Sequence, residues 1–340
     1  MDGYQNFMIQ SLKENGHLLK FVQYQTNILC LEAVKQDGLA LQHVKEQTHE
    51  ICLAAVKQNG SALADVKDQT HEICLAAVQQ NGYALKFVKN QTHEICLAAV
   101  SQYGYALDDV KEQNYKICLA AVKQLGCALR YVKKQRVQIC LEAVKQNGLA
   151  LEYVKEQTSE ICLAAVKENG YALQYVKKQN LKICLAAVRQ NGFALQDVKE
   201  QTSQICIEAV KQNRYALKFV KVQTTEIYLA AVKKNGYALE CINQQTPEIC
   251  LEAVKQDGRA LQFAKQQSNK ICVAAVNENP ASLQYVEDET YEVLSETVLA
   301  LDLLLRQSIE DQDHGFIIKN IKENLEDVRH KLDKFNDLFE

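Results

Sequence analysis

Apolar and polar residues follow a fixed 22-residue beat along most of this chain. From Phe7 to Glu292 a block close to T-x-E-I-C-L-A-A-V-K-Q-N-G-Y-A-L-x-Y-V-K-E-Q recurs thirteen times. A period of that size marks a solenoid, in which each unit buries its apolar face only against its neighbours. Counting the first apolar residue of each block (Ile51 in the third copy) as place one, the nearly constant places are one, three, five, six, twelve, thirteen, sixteen and nineteen. The apolar ones fall into two short clusters separated by Asn-Gly.

Each cluster predicts a short helix. Place twenty is Thr, Ser or Asn in twelve of thirteen copies, as in Thr48, Asn114 and Ser268, and such side chains accept from the free N–H groups of a helix start. Glu50, Glu72 and Glu94 follow two residues later, where the macrodipole favours a negative charge. Pro247 stands one residue after Thr246, at the helical position that best tolerates proline. Place ten is Gly in eleven of thirteen copies. This predicts a left-handed C-cap closing the first helix. The second helix is expected to run from the Ala62-Leu63 pair to Gln69, with Leu63, Ala62 and Val66 on one face by the three-and-four rule. Helices this short depend on stacking for stability.

Beyond Glu292 the period stops. Leu294, Val298, Leu301 and Leu305 predict one amphipathic helix. After the Asp311–Gly315 loop, Ile318, Ile321, Leu325, Val328, Leu332 and Phe335 predict a second. The pair reads as a hairpin capping the last repeat's open face, although the second helix also suits a coiled-coil seam for self-association. The expected fold is therefore all-α: an α-solenoid of thirteen 22-residue two-helix repeats with a C-terminal helical-hairpin cap. Its segments are an N-terminal tail (1–6), the repeat array (7–292) and the cap (293–340).

Composition narrows the function classes. The net charge is −3; residues 293–340 hold 11 acids and 6 bases (−5), which leaves +2 for residues 1–292. No steering field for nucleic acid or an acidic membrane follows from so small a bias. The N-terminus lacks the basic start and apolar run of a signal peptide. The longest apolar run near the C-terminus, around Leu299 to Leu305, is interrupted by Asp302 and is too short to span a bilayer. A soluble, cytoplasmic protein with no membrane partner is expected. Eleven of the 13 cysteines, Cys30 to Cys272, lie on the 22-residue period, with Tyr228 in the place of a twelfth. Stacked helices stand about 8–10 Å apart, whereas a disulfide needs Cα atoms within roughly 4.4–6.8 Å. The ladder is thus expected to be buried and reduced, and unable to converge on a metal.

The stretch A-V-K-Q-N-G-Y-A-L-x-x-V, seen at residues 55–66 and 165–176, resembles a repeat family of unknown function. That family is abundant in mimivirus-like giant viruses of amoebae and occurs in some protists and bacteria. The resemblance covers residues 7–292 and implies a helical repeat of viral origin, placed in host cytoplasm or virion. It implies no catalytic residue.

Candidate chemistry was sought where copies differ. Variation concentrates at places eleven, fourteen, fifteen, eighteen and twenty-one; on α-helical spacing, eleven, fifteen and eighteen share a face. Place fifteen switches between ring and acid. The candidate partner-binding residues are Phe87, Asp109, Tyr131, Tyr153, Tyr175, Asp197, Phe219 and Phe263, with Tyr171 at place eleven. Asp is not buried unpaired, so place fifteen must partly face water. An exposed aromatic strip would mark an interaction surface; alternatively the rings seal the stack between second helices. Two basic rows, Lys45 to Lys265 at place seventeen and Lys35 to Lys255 at place seven, could follow a phosphate backbone, but interspersed acids favour a solvated face. The constant Gln at place nineteen is expected to tie the inter-repeat turns. His49, His71 and His93 stand one repeat apart, too far to share a metal. No catalytic constellation, phosphate loop or cofactor motif is present. The reading is a non-enzymatic protein-binding scaffold; a nucleic-acid-binding solenoid and a structural component of a virus particle or factory are the alternatives.

Overall fold

The structure, a computed structural model, describes residues 3–311 and 315–337. It is an α-solenoid of 22-residue repeats followed by a C-terminal helical hairpin, with no strand among the described residues. By contacts the chain divides into two compact units, Met1–Lys177 and Lys178–Glu340. The first helix, Gly3–Glu14, takes in four of the six residues expected as a tail.

Within the first unit each repeat is a ten-residue α-helix followed by a six-residue 3-10 helix, for example His71–Gln80 and Gly82–Phe87. The threonine and asparagine caps are in place, as where the Thr70 hydroxyl accepts from the Ile73 amide at 3.3 Å, whereas the Ser268 side chain makes no cap bond. Ile73, Cys74, Ala77 and Val78 of the α-helix and Ala84, Leu85 and Val88 of the second segment are buried. That set, repeated, is the core.

Two expectations need correction. The second segment is a 3-10 helix ending at place fifteen, not an α-helix running to the Gln; Val88 already has extended backbone (φ −72, ψ 117). Nor is the glycine a left-handed C-cap. Asn81, in extended conformation (φ −148, ψ 109), ends the α-helix, and its side chain accepts from the Tyr83 amide at 3.0 Å to start the next helix. No described array glycine is left-handed. The glycine is required for room: a Cβ on Gly82 would lie 2.5 Å from the Ala99 carbonyl oxygen of the next repeat. The Gly82 amide instead donates to Gln102 Oε1 at 2.6 Å. Places five, eight and ten are thereby locked together across each junction.

A second bracket closes each junction at the turn. Gln113 Nε2 donates to the Tyr131 carbonyl (2.8 Å), and its Oε1 accepts from the Lys133 amide (2.9 Å) and from Cys118 Sγ (3.7 Å). All eleven periodic cysteines donate to the glutamine five residues before them; for Cys30 and Cys162 the distances are 3.8 and 3.7 Å. They are buried and free.

The second unit repeats this construction, with Pro280 for the glycine and Glu287 for the lysine of its last repeat, and breaks it more fully between residues 205 and 243. There Arg214 replaces the glycine, Tyr228 the cysteine, Lys234 the acceptor at place eight and Asn243 the lysine at place seventeen. Arg214 simply begins the 3-10 helix Arg214–Phe219, behind an extended Asn213 (φ −149), so no left-handed strain attends it. The Tyr228 hydroxyl donates to Gln223 as the cysteines do to theirs. Gln223 itself is exposed, and among the described residues its bonds to the Cys241 carbonyl and Asn243 amide are missing. In their place Arg214 pairs with Glu240 at 3.3 Å and lies over the Tyr215 and Tyr237 rings. The unit ends with helices Tyr291–Glu310 and Gly315–Asp337. Val293, Leu294 and Leu301 of the first and Ile321, Leu325 and Val328 of the second are buried, and Arg329 grips both Asp302 oxygens at 3.0 and 2.9 Å. Residues 312–314 of the expected loop lie outside the described residues.

Three outcomes follow. Gly82→Ala should cost about 1–3 kcal/mol in urea unfolding, because a methyl must displace backbone rather than a flexible tip; an unchanged midpoint would refute the close approach. Hydrogen exchange should show earlier opening around residues 207–243 than at the Gln113 bracket, since two of its bonds, worth about 1 kcal/mol each, are lost there. Burial pushes all thirteen thiols above their ordinary value. Unfolded thiols ionise near pH 8.5 while folded ones stay protonated, so stability is full below about pH 8.5 and falls as pH rises beyond it. Urea midpoints at pH 7.5 and 9.5 measure this, and native thiol labelling should be slow at the lower pH.

Candidate functional site

A 3-10 helix has three residues per turn, so places eleven and fourteen lie one above the other. Place fourteen is exposed in every repeat. The outward edge of the second helices is therefore set by eleven and fourteen, with place fifteen half-buried beside them. The expectation that eleven, fifteen and eighteen form the face used α-helical spacing and is corrected accordingly.

Phe87, Asp109, Tyr131, Tyr153, Tyr171, Tyr175, Asp197, Phe219 and Phe263 are all half-buried. The rings do not stack along place fifteen from one repeat to the next. They meet on a diagonal instead: a ring at place eleven meets edge-on the place-fifteen ring one repeat later. Tyr105 and Tyr131 stand 5.8 Å apart in the first unit. In the second, Phe193 meets Phe219 at 6.0 Å and Tyr237 meets Phe263 at 5.5 Å. Edge-to-face geometry of this kind is attractive beyond its buried area. The rings thus seal the junctions on one side and present the other side to water.

Cations at place fourteen complete the face. Lys86 Nζ sits 3.8 Å from the Tyr83 ring centroid and 4.7 Å from that of Phe87. The Arg130 guanidinium lies over Tyr131 (5.1 Å) and Tyr153 (5.6 Å), bridging two candidate rings that do not touch. In the second unit Lys218 lies over Phe193 (5.3 Å) and Phe219 (4.8 Å). Their attraction to the ring faces holds these side chains flat against the surface. The sequence carried a signal for them, since place fourteen is among the most variable.

Where the ring gives way to an acid, burial governs its chemistry. Burial pushes the Asp109 carboxyl above the ordinary carboxylate range, and the neighbouring Asp108 charge adds to this. Burial does the same to Asp197 and, with Glu152 beside it, raises the Tyr153 hydroxyl. At the start of the array His17 Nδ1 meets His43 Nε2 at 3.1 Å, and His17 Nε2 meets Asp37 at 2.9 Å. Burial, then His17 and Lys20, lowers His43.

The other candidate groups are occupied in holding the array together. Lys67 Nζ donates to the Lys45 carbonyl (3.2 Å) and Lys111 Nζ to the Lys89 carbonyl (3.0 Å), and Lys89, Lys133, Lys155, Lys177 and Lys221 do likewise. At place seven, Lys35 and Lys145 pair with Glu32 and Glu142. His49 and His71 each pair with the next repeat's glutamate at 3.1 Å, and His93 bonds Asn114. No described helix is long and apolar enough to cross a membrane.

No curated protein and no solved structure matches the chain. A family model described as a domain of unknown function (DUF4116) matches residues 29–70, 50–91, 70–114, 114–157, 158–202, 224–267 and 246–290, each stretch about two repeats long. These stretches cover well over half of the chain, which therefore belongs to the DUF4116 family.

Proposed function

We propose that this protein is a non-enzymatic, protein-binding scaffold whose partner lies across the 3-10 face formed by places eleven, fourteen and fifteen. One observation carries the reading. The constant residues are spent on junctions, while the variable ones are gathered on the single edge that those junctions leave free. Half-buried Tyr and Phe, with Arg130 laid over two of the rings, form the composition typical of binding hot spots.

The nucleic-acid alternative has less support. A phosphate-tracking row needs lysine heads free in solution, and here the place-seventeen heads lie on backbone carbonyls. A structural role in a virus particle or factory fits a non-enzymatic scaffold equally well; the viral origin and the host-cytoplasm or virion location rest on the family resemblance alone.

The test is affinity purification of the full chain from its native cell, read by mass spectrometry, beside a Lys86→Ala/Arg130→Ala/Tyr131→Ser variant whose helicity is confirmed by circular dichroism. Loss of a specific protein by about tenfold in the variant is expected. Salt-sensitive, low-micromolar RNA or DNA binding that survives the substitutions would overturn the reading.

A further inference from the structure

From the repeat at Ile51 to that at Ile139, charge on the 3-10 face and on place eighteen, in the turn just beyond that helix, alternates from one repeat to the next; the repeat at Leu29, with Glu46, is acidic like the one at Ile51. The repeat beginning at Ile51 carries Asp65 and Asp68, and the next carries Lys86 alone. The repeat at Ile95 is acidic through Asp108, Asp109 and Glu112. The repeat at Ile117 is basic through Arg130 and Lys134. The repeat at Ile139 returns to acid with Glu152 and Glu156. Five consecutive repeats of the first unit thus read acid, base, acid, base, acid.

None of these charges closes a salt bridge within the chain among the described residues; the unit's ion pairs lie elsewhere. Except for Asp109 they are exposed. The place-seventeen lysines add the same charge to every repeat and are turned back onto carbonyls, so they leave the alternation intact. Oppositely charged bands left open at a regular spacing are complementary to the same face of another copy.

We infer that the first unit's 3-10 face pairs with the same face of a second copy of this chain, antiparallel about a two-fold axis. The inference rests on the proposed binding face and names its occupant. A two-fold pairing brings repeats into register so that their ordinal numbers sum to a constant. Acid meets base only when that sum is odd, so the axis falls between adjacent repeats rather than through one. With the axis between the fifth and sixth repeats, Asp108 and Glu112 face Arg130 and Lys134 of the other copy. Lys86 then faces Glu152 and Glu156. Four repeats at about 10 Å each, about 20 Å wide with side chains, offer on the order of 800 Å² per copy, the size of a standard specific interface. The rings at Tyr83 and Phe87 and at Tyr105 and Tyr131 supply its apolar centre, and the charges set its register.

Sedimentation equilibrium of the full-length protein tests this. A dimer with Kd of about 10 µM or tighter is expected at low ionic strength, weakening at least tenfold in about 0.5 M salt. An acid form, Lys86→Glu/Arg130→Glu/Lys134→Glu, and a base form, Asp108→Lys/Glu112→Lys/Glu152→Lys/Glu156→Lys, should each be monomeric alone. Mixed, they should form a one-to-one heterodimer. A wild type that stays monomeric to about 200 µM at low salt overturns the inference even if neither variant folds. So does a dimer unmoved by both charge sets but broken by Leu303→Asp, on the exposed apolar side of the C-terminal hairpin. If the wild type is monomeric yet Lys86 and Arg130 substitutions release a different captured protein, the self-pairing fails while the binding face stands.

Discussion

The close approach of one backbone to the next governs this architecture. Where glycine holds place ten, its backbone lies so near the following repeat's place-five carbonyl that a side chain would collide with it; the Cβ of an alanine at Gly82 would reach 2.5 Å from Ala99 O. That contact dictates glycine at ten. Place five is a buried alanine in every repeat after the first, from Ala33 to Ala275. Place eight becomes a glutamine or glutamate whose oxygen can accept the stranded amide, as Gln102 does for Gly82 and Glu168 for Gly148. An unpaired buried N–H costs about 1–3 kcal/mol, so the acceptor is nearly as fixed as the glycine. The 3-10 helix follows from the same constraint, because its tighter turn carries the chain back within six residues.

The place-nineteen glutamine is the complementary device at the turn. One amide satisfies a carbonyl, a backbone amide and a thiol of the following repeat, as Gln113 does with Tyr131, Lys133 and Cys118. This gives the cysteine ladder a reason beyond apolar filling: each thiol is a small donor buried beside an obligatory acceptor. Tyr228 supports that account, since its hydroxyl reaches the same acceptor from a larger side chain. The larger side chain coincides with a displaced Gln223, and Arg214, Lys234 and Asn243 cluster at the same junction. Several linked positions change together there because they serve one contact. Arg214 and Glu240 supply a side-chain tie where the backbone tie is lost.

Much of this was legible in the sequence, for reasons that can be located. The period, the Thr70-type caps, the core at Ile73, Ala77, Val78 and Leu85, and the tying role of glutamine are one-dimensional signals, repeated thirteen times. The conformation of the second helix was not legible. Over six residues, Ala84, Leu85 and Val88 fit three-residue and 3.6-residue turns equally well. The asparagine-glycine pair misled for a related reason. Glycine serves both left-handed backbone and close approach, and only the position of Ala99 in the next repeat distinguishes them. The error carried over to the candidate face, where α-helical spacing grouped Phe87 and Tyr131 with place eighteen and passed over Lys86 and Arg130 at place fourteen.

The division of labour among places also explains why the face can vary at all. In a stack held by nearest neighbours, a residue is free to change only if no junction needs it. Place fourteen meets that condition in full and place fifteen in part: its carbonyl is claimed by glutamine, as Asp109 O is by Gln91, while its side chain is not. Asp109 and Tyr131 can therefore occupy equivalent positions one repeat apart without disturbing the bracket beneath them. The acid carries a cost, visible in the raised Asp109 carboxyl, and a residue chosen for stability alone would be the ring. Acids that alternate with rings and cations at places where the fold has no use for them are best understood as selected by something outside the repeat.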